Sequence, residues 1–71
     1  MIRKTVTKVV TEGAYAAEVK VELIYDDSGW SPYIGLQDVQ RLDTVRVALR
    51  SHDLKAASKL ARIFELVPVA A

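Results

Sequence analysis

The sequence predicts an α+β fold, a small antiparallel sheet of two to three strands packed against two helices, with an additional C-terminal strand left open. Three observations carry this. Residues 15–25 alternate with a period of two, the apolar period lengthens to three or four residues from Leu36 onward, and turn-forming residues separate the segments. At 71 residues the chain is read as one small domain spanning 1–71. Its sheet half covers about 2–34, its helical half about 36–64, and a C-terminal strand or tail covers 63–71.

The strands come first. Arg3 to Thr11 is rich in valine and threonine, which favour extended structure. Ile2, Val6 and Val10 share a face with Lys4 and Lys8, and lysines interrupting an apolar face suit an edge strand, where charge discourages pairing between sheets. Glu12-Gly13-Ala14 then provides a short hairpin loop containing glycine. In the next strand Tyr15, Ala17, Val19, Val21, Leu23 and Tyr25 form one apolar face, with Glu18, Lys20 and Glu22 on the other. Eleven residues at ~3.4 Å each would span ~37 Å, so this strand is expected to bend or to project beyond its sheet. Asp26-Asp27-Ser28-Gly29 is a second turn, after which Trp30 to Ile34 can run back along the second strand. Pro32 lacks an N–H, which makes that third strand short, bulged or peripheral.

The helices follow. Leu36, Val39, Leu42, Val45 and Leu49 recur at helical spacing, with Gly35 at the N-cap and Asp38 in the first turn, where the helix dipole favours an acid. Ser51-His52-Asp53 interrupts, and Asp53 is placed to cap a second helix whose stripe is Leu54, Ala57, Leu60, Ala61 and Phe64. Residues 63–69 read either as a continuation of that helix to Leu66 or as a strand stopped by Pro68. Their β-branched content and the proline favour the strand. The expected core is Tyr15, Val19, Val21, Leu23, Val39, Leu42, Leu49, Leu60 and Phe64.

Composition limits the function. The chain is 51% hydrophobic and 27% charged, a globular rather than disordered balance. The segment to Gly35 has four basic and five acidic residues and the remainder six and four, so the net charge of +1 provides no strong nonspecific pull toward nucleic acid or membrane. No apolar run approaches the roughly 20 residues of a membrane span, and the first residues lack the apolar core of a signal peptide, so a cytoplasmic location is expected. Apolar burial of about 105 kcal/mol is offset by a chain-ordering cost of about 107 kcal/mol in a domain this small. Without cysteine there is no disulfide or thiolate site to tilt that balance; tight packing or a partner chain remains.

The side chains suggest no reaction. His52 is the single histidine, in an interhelical turn where polar residues are expected, and one imidazole without cysteine makes a poor zinc site. Asp26 and Asp27 are adjacent but are explained by the turn. No serine or threonine lies in a G-x-S-x-G setting, and Gly13, Gly29 and Gly35 are too scattered for a phosphate loop. The expectation is therefore a protein that is not an enzyme, with no catalytic residue, no cofactor and no metal. Arg46 falls within the apolar stripe of the first helix, between Leu42 and Val39. It can snorkel, pair with Asp43 one turn back, or join Arg50 in meeting acidic groups of a partner or RNA phosphates. Trp30 and Tyr33 flank Pro32 and either close the end of a small core or anchor an interface. Two helices joined by a short turn also allow an alternative, a small DNA-binding transcriptional regulator in which Lys55, Lys59 and Arg62 on the second helix face phosphate.

Gly29-Trp30-Ser31-Pro32-Tyr33, Leu42-Asp43-Thr44-Val45-Arg46, the segment from Asp53 to Ala61 and the Val67-Pro68-Val69 tail together resemble a group of small uncharacterised bacterial proteins encoded beside toxin-like genes. The resemblance covers about residues 15–70. The hairpin, the aromatics and the following helix are also similar to HicB-type antitoxins, although the D-L-P-G-C-type segment that those carry after the third strand is missing here. The resemblance implies an antitoxin-like homodimer that binds and neutralises a toxin-like partner protein and can bind its own operator. The expected function is thus a noncatalytic protein-interaction module, with Trp30, Tyr33, Arg46 and Arg50 as partner-binding residues.

Overall fold

The computed structural model describes residues 2–27, 29 and 31–70. A long hairpin leads: β1 (Ile2–Glu12) and β2 (Tyr15–Tyr25) pair antiparallel along their whole length, from Ile2 opposite Tyr25 to Glu12 opposite Tyr15. Gly13 takes φ +57° at the first central position of the two-residue turn, as a type II′ hairpin requires. β3 (Tyr33–Ile34) adds to the far end of β2 at Leu23 and Ile24, kept short as the proline before it demands. The turn residue Ser28 and the proposed anchor Trp30 lie outside the described residues.

α1 (Leu36–Arg50) and α2 (Leu54–Ser58) follow, and β4 (Arg62–Glu65) returns to β2 antiparallel at Tyr15–Glu18. The arrangement is α+β, with a four-stranded antiparallel sheet and two helices among the described residues. The C-terminal strand is therefore present. The second helix is shorter than its stripe implied, because its last turn closes onto Ala57, which accepts from Leu60 and Ala61, and Ile63 and Phe64 go to the sheet. No helix among the described residues is long and apolar enough to cross a membrane.

Cross-strand partners share a face. Val6 and Val10 of β1, Ala17, Val19 and Val21 of β2 and Ile63 of β4 meet Val45 and Leu49 of α1 and Ala57 of α2. Among the expected core residues Val19, Val21 and Leu49 are fully buried, while Tyr15, Leu23 and Leu42 are half-buried. Three expectations fail. Val39 is 47% exposed, Leu60 40% and Phe64 38%. Leu60 lies beyond the end of α2, and Phe64 pairs opposite Ala16 on the sheet face away from the core cluster. Val39 fails because the buried side of α1 centres on Val45, about 120° round the helix from it. The resulting molecule is thin, with extents of 46 × 31 × 14 Å.

Candidate functional site

Polar contacts join the apolar packing of Val45 and Leu49 in holding α1 against the sheet. β3 and β4 both pair with β2 but leave a gap between them at residues 19–22. Side chains from α1 fill it. The Glu22 N–H donates to Asp38 Oδ2 at 2.8 Å, and the Arg41 guanidinium donates to the Lys20 carbonyl. Asp38 and Arg41, three residues apart on one helical face, also pair with each other at 3.1 Å. The two side chains serve the edge of β2 as a short strand would, and Arg41 Nε is buried there without a hydrogen-bond partner. Arg41 also lines a cleft of about 570 Å³ with Thr7, Glu18, Lys20, Ser58 and Arg62, next to the gap.

At the hairpin tip, Glu12 accepts from Arg50 at 2.9 Å and lies 4.0 Å from Arg46 Nε. Arg46 thus pairs across to the sheet. The hydrogen bond to Glu12, and then its charge, raise the Arg50 pKa above the ordinary arginine value, so Arg50 is cationic at every working pH. His52 has φ 60°. It sits where α1 ends, with its N–H donating to Leu49 O at 3.1 Å and the following Asp53 N–H to Ala48 O at 2.8 Å. Those two bonds define a Schellman motif with His52 in the left-handed position. Its ring also meets the Tyr15 ring edge-on at a centroid distance of 6.0 Å. Among the described residues no three His, Cys, Asp or Glu side chains gather as a metal site.

Among the described residues, Tyr33 does not share a surface with Arg46 and Arg50. Tyr33, 47% exposed, is opposite Ile24 at one end of β2, whereas Arg46 and Arg50 reach Glu12 beside the other end. Arg46 and Arg50 stand ten and fourteen residues beyond the start of α1, roughly 15 and 21 Å along its axis. Lys55, Lys59 and Arg62 do not share a helical face either. Lys55 is in α2, Lys59 is its C-cap, and Arg62 is in β4, opposite Glu18 and stacked 5.0 Å from the Phe64 ring. A recognition helix of five residues is too short to present all three.

A different surface is more prominent. β1 pairs only with β2 among the described residues, so its other edge is open along eleven residues. The register settles which backbone groups face outward. Glu22 N–H and Lys20 C=O point away from β1, so the even residues of β2 turn their polar groups away and the odd ones turn toward it. Their partners on β1 follow. Lys4, Val6, Lys8, Val10 and Glu12 bond to β2, and Arg3, Thr5, Thr7, Val9 and Thr11 turn N–H and C=O outward. The lysines and the valine–threonine content gave the sequence-level signal for an edge; its length and isolation required the topology.

No protein-family pattern, curated protein or solved structure matches this chain. The antitoxin-like reading therefore rests on the short segments that carry the resemblance.

Proposed function

We propose that this chain is a noncatalytic protein-interaction module that acts as a homodimer and, in the antitoxin-like manner implied by the resemblance, binds a toxin-like partner protein in a bacterial cytoplasm. One observation carries the assembly part. The folded chain exposes 5457 Å², where a compact monomer of 7.9 kDa is expected to expose about 4,400 Å². The surplus of about 1,000 Å² is of the size that each partner contributes to a stable interface, about 800 Å². The radius of gyration agrees: 14.4 Å against about 11 Å for a compact domain of this length. Among the described residues only Leu49, Val19, Val21 and Val45 combine size with near-complete burial, a small core for a chain with no disulfide. The noncatalytic part rests on the sequence, which pairs no nucleophile with a base.

Size-exclusion chromatography with light scattering over a dilution series tests the dimer. A mass of two chains at low micromolar concentration is expected, and a monomer throughout rejects it. Affinity purification from native cells tests the partner. The expected result is a stoichiometric protein that slows growth when expressed alone and is relieved by co-expression of this chain. Recovery of the chain by itself counts against an antitoxin-like role.

A further inference from the structure

We infer that β1 pairs antiparallel with β1 of a second copy, with Thr7 on the two-fold axis, joining the two sheets into one that runs through both chains. This rests on the homodimeric reading and specifies its interface. The open edge is eleven residues, about 37 Å of strand, and displays the backbone groups of Arg3, Thr5, Thr7, Val9 and Thr11. Those side chains lie on the sheet face away from the core, where Val9 is 62% exposed. Such an edge is a template for another strand.

The occupant follows from parity and charge. Odd residues must face odd residues for the outward N–H and C=O groups to meet, which restricts two copies to registers two residues apart. One of these overlaps all eleven residues. It sets Thr7 against the partner's Thr7, Thr5 against the partner's Val9, and Arg3 against the partner's Thr11, exchanging about ten backbone hydrogen bonds. On the core side it sets Lys4 against the partner's Val10, Lys8 against the partner's Val6, and Ile2 against the partner's Glu12. No like charges stand opposite each other, and the Lys8 stem lies beside the partner's half-buried Val6. A slide of two residues one way brings Lys4 against the partner's Lys8. A slide of two the other way brings Lys8 against the partner's Lys8. The lysines that protect this edge from indiscriminate pairing thus select a single self-complementary register.

The absence of cysteine makes a clean test available, because any introduced cysteine is unique. Thr7→Cys places two thiols on a hydrogen-bonded pair with a Cα separation of about 5.5 Å, within disulfide range. Thr11→Cys leaves its two copies about 27 Å apart, eight residues at ~3.4 Å. Under mild oxidation the Thr7→Cys protein is expected to cross-link at least tenfold faster than the Thr11→Cys protein. Thr7→Pro removes an outward N–H while sparing the bonds to β2, and is expected to weaken dimerisation at least tenfold with an unchanged circular dichroism spectrum. Should that variant not fold, hydrogen exchange on the unmodified chain decides: protection at Thr5, Thr7 and Val9 must rise with protein concentration. A dimer without that rise and without preferential Thr7→Cys cross-linking overturns the β1 interface and leaves the homodimer to another surface. Preferential cross-linking at Thr11→Cys overturns the register. A monomer at every concentration overturns the interface and the homodimer together.

Discussion

At the scale of single residues, the fold depends on polar side chains at unexpected places. Asp38 has two roles: its position in the first turn of α1 suits the helix dipole, and its carboxylate accepts the Glu22 N–H at the edge of β2. Asp38→Ala removes both that acceptor and the partner of Arg41. The expected loss is about 1–2 kcal/mol in urea unfolding, with Asp38→Asn, which keeps an acceptor oxygen, losing less than half as much. Asp38 was legible as a helix-start residue, but its partner on β2 is sixteen positions away and no local pattern reveals it. His52 is the opposite case. Its place in a turn was legible, and the structure accounts for it without chemistry, as a non-glycine residue at φ 60° that closes α1. His52→Gly relieves that conformation and is expected to stabilise the chain by about 0.5–1 kcal/mol, measured in the same urea titration. A stability loss would show that the edge contact with Tyr15 outweighs the backbone strain.

Among the elements, α2 shows where two local signals overlap and pairing decides between them. Asp53 is the second residue past the end of α1 in its Schellman motif and also caps α2, its side chain accepting from the Ala56 N–H at 3.1 Å. One residue therefore sets the angle between the helices. Asp53→Ala is expected to cost about 1 kcal/mol by denaturant unfolding, the usual value of a lost N-cap. The helical stripe from Leu54 to Phe64 was real as a pattern, but five residues of helix have little stability of their own. Ile63 and Phe64 gain more by completing β2 beside Ala17 and Ala16. The β1–β2 hairpin was legible nearly to the residue, because strict alternation and a glycine turn are both local signals. In α1 the ends were legible and so was most of the buried face: Leu42, Val45 and Leu49 of the predicted stripe pack on the sheet, while Leu36 and Val39 do not. Asp38 and Arg41, on the same side as Val45, add polar contacts to β2 that no local pattern reveals.

On the scale of the whole molecule, one sheet and one layer of short helices make a body 14 Å across its narrowest extent. One sheet face packs against the helices, and on the other Thr5, Thr7, Val9 and Thr11 are exposed. In the proposed homodimer, a small core and a large surface leave part of the stability to association. Mass action then couples unfolding to concentration, and a tenfold dilution through the micromolar range is expected to lower Tm by several degrees. A Tm independent of concentration would assign the stability to the monomer. None of this was visible as a site. Tyr33 and the Arg46–Arg50 pair were read separately as partner-binding candidates, and the long axis of α1 sets Tyr33 apart from the two arginines.

The sequence by itself determined the α+β class, the hairpin, the start of each helix and the charged character of the first strand. Each of these is written in periods and turn chemistry within about a dozen neighbouring residues. The sequence favoured a strand over residues 63–69, and pairing with β2 settled it at Arg62–Glu65. Tertiary structure alone decided that Asp38 and Arg41 stand in for a strand. It also decided that the edge marked by the lysines of β1 stays unpaired along its eleven residues, among those described. Those outcomes depend on which backbone groups remain unpaired after the chain has closed on itself, and every residue of the fold contributes to that condition.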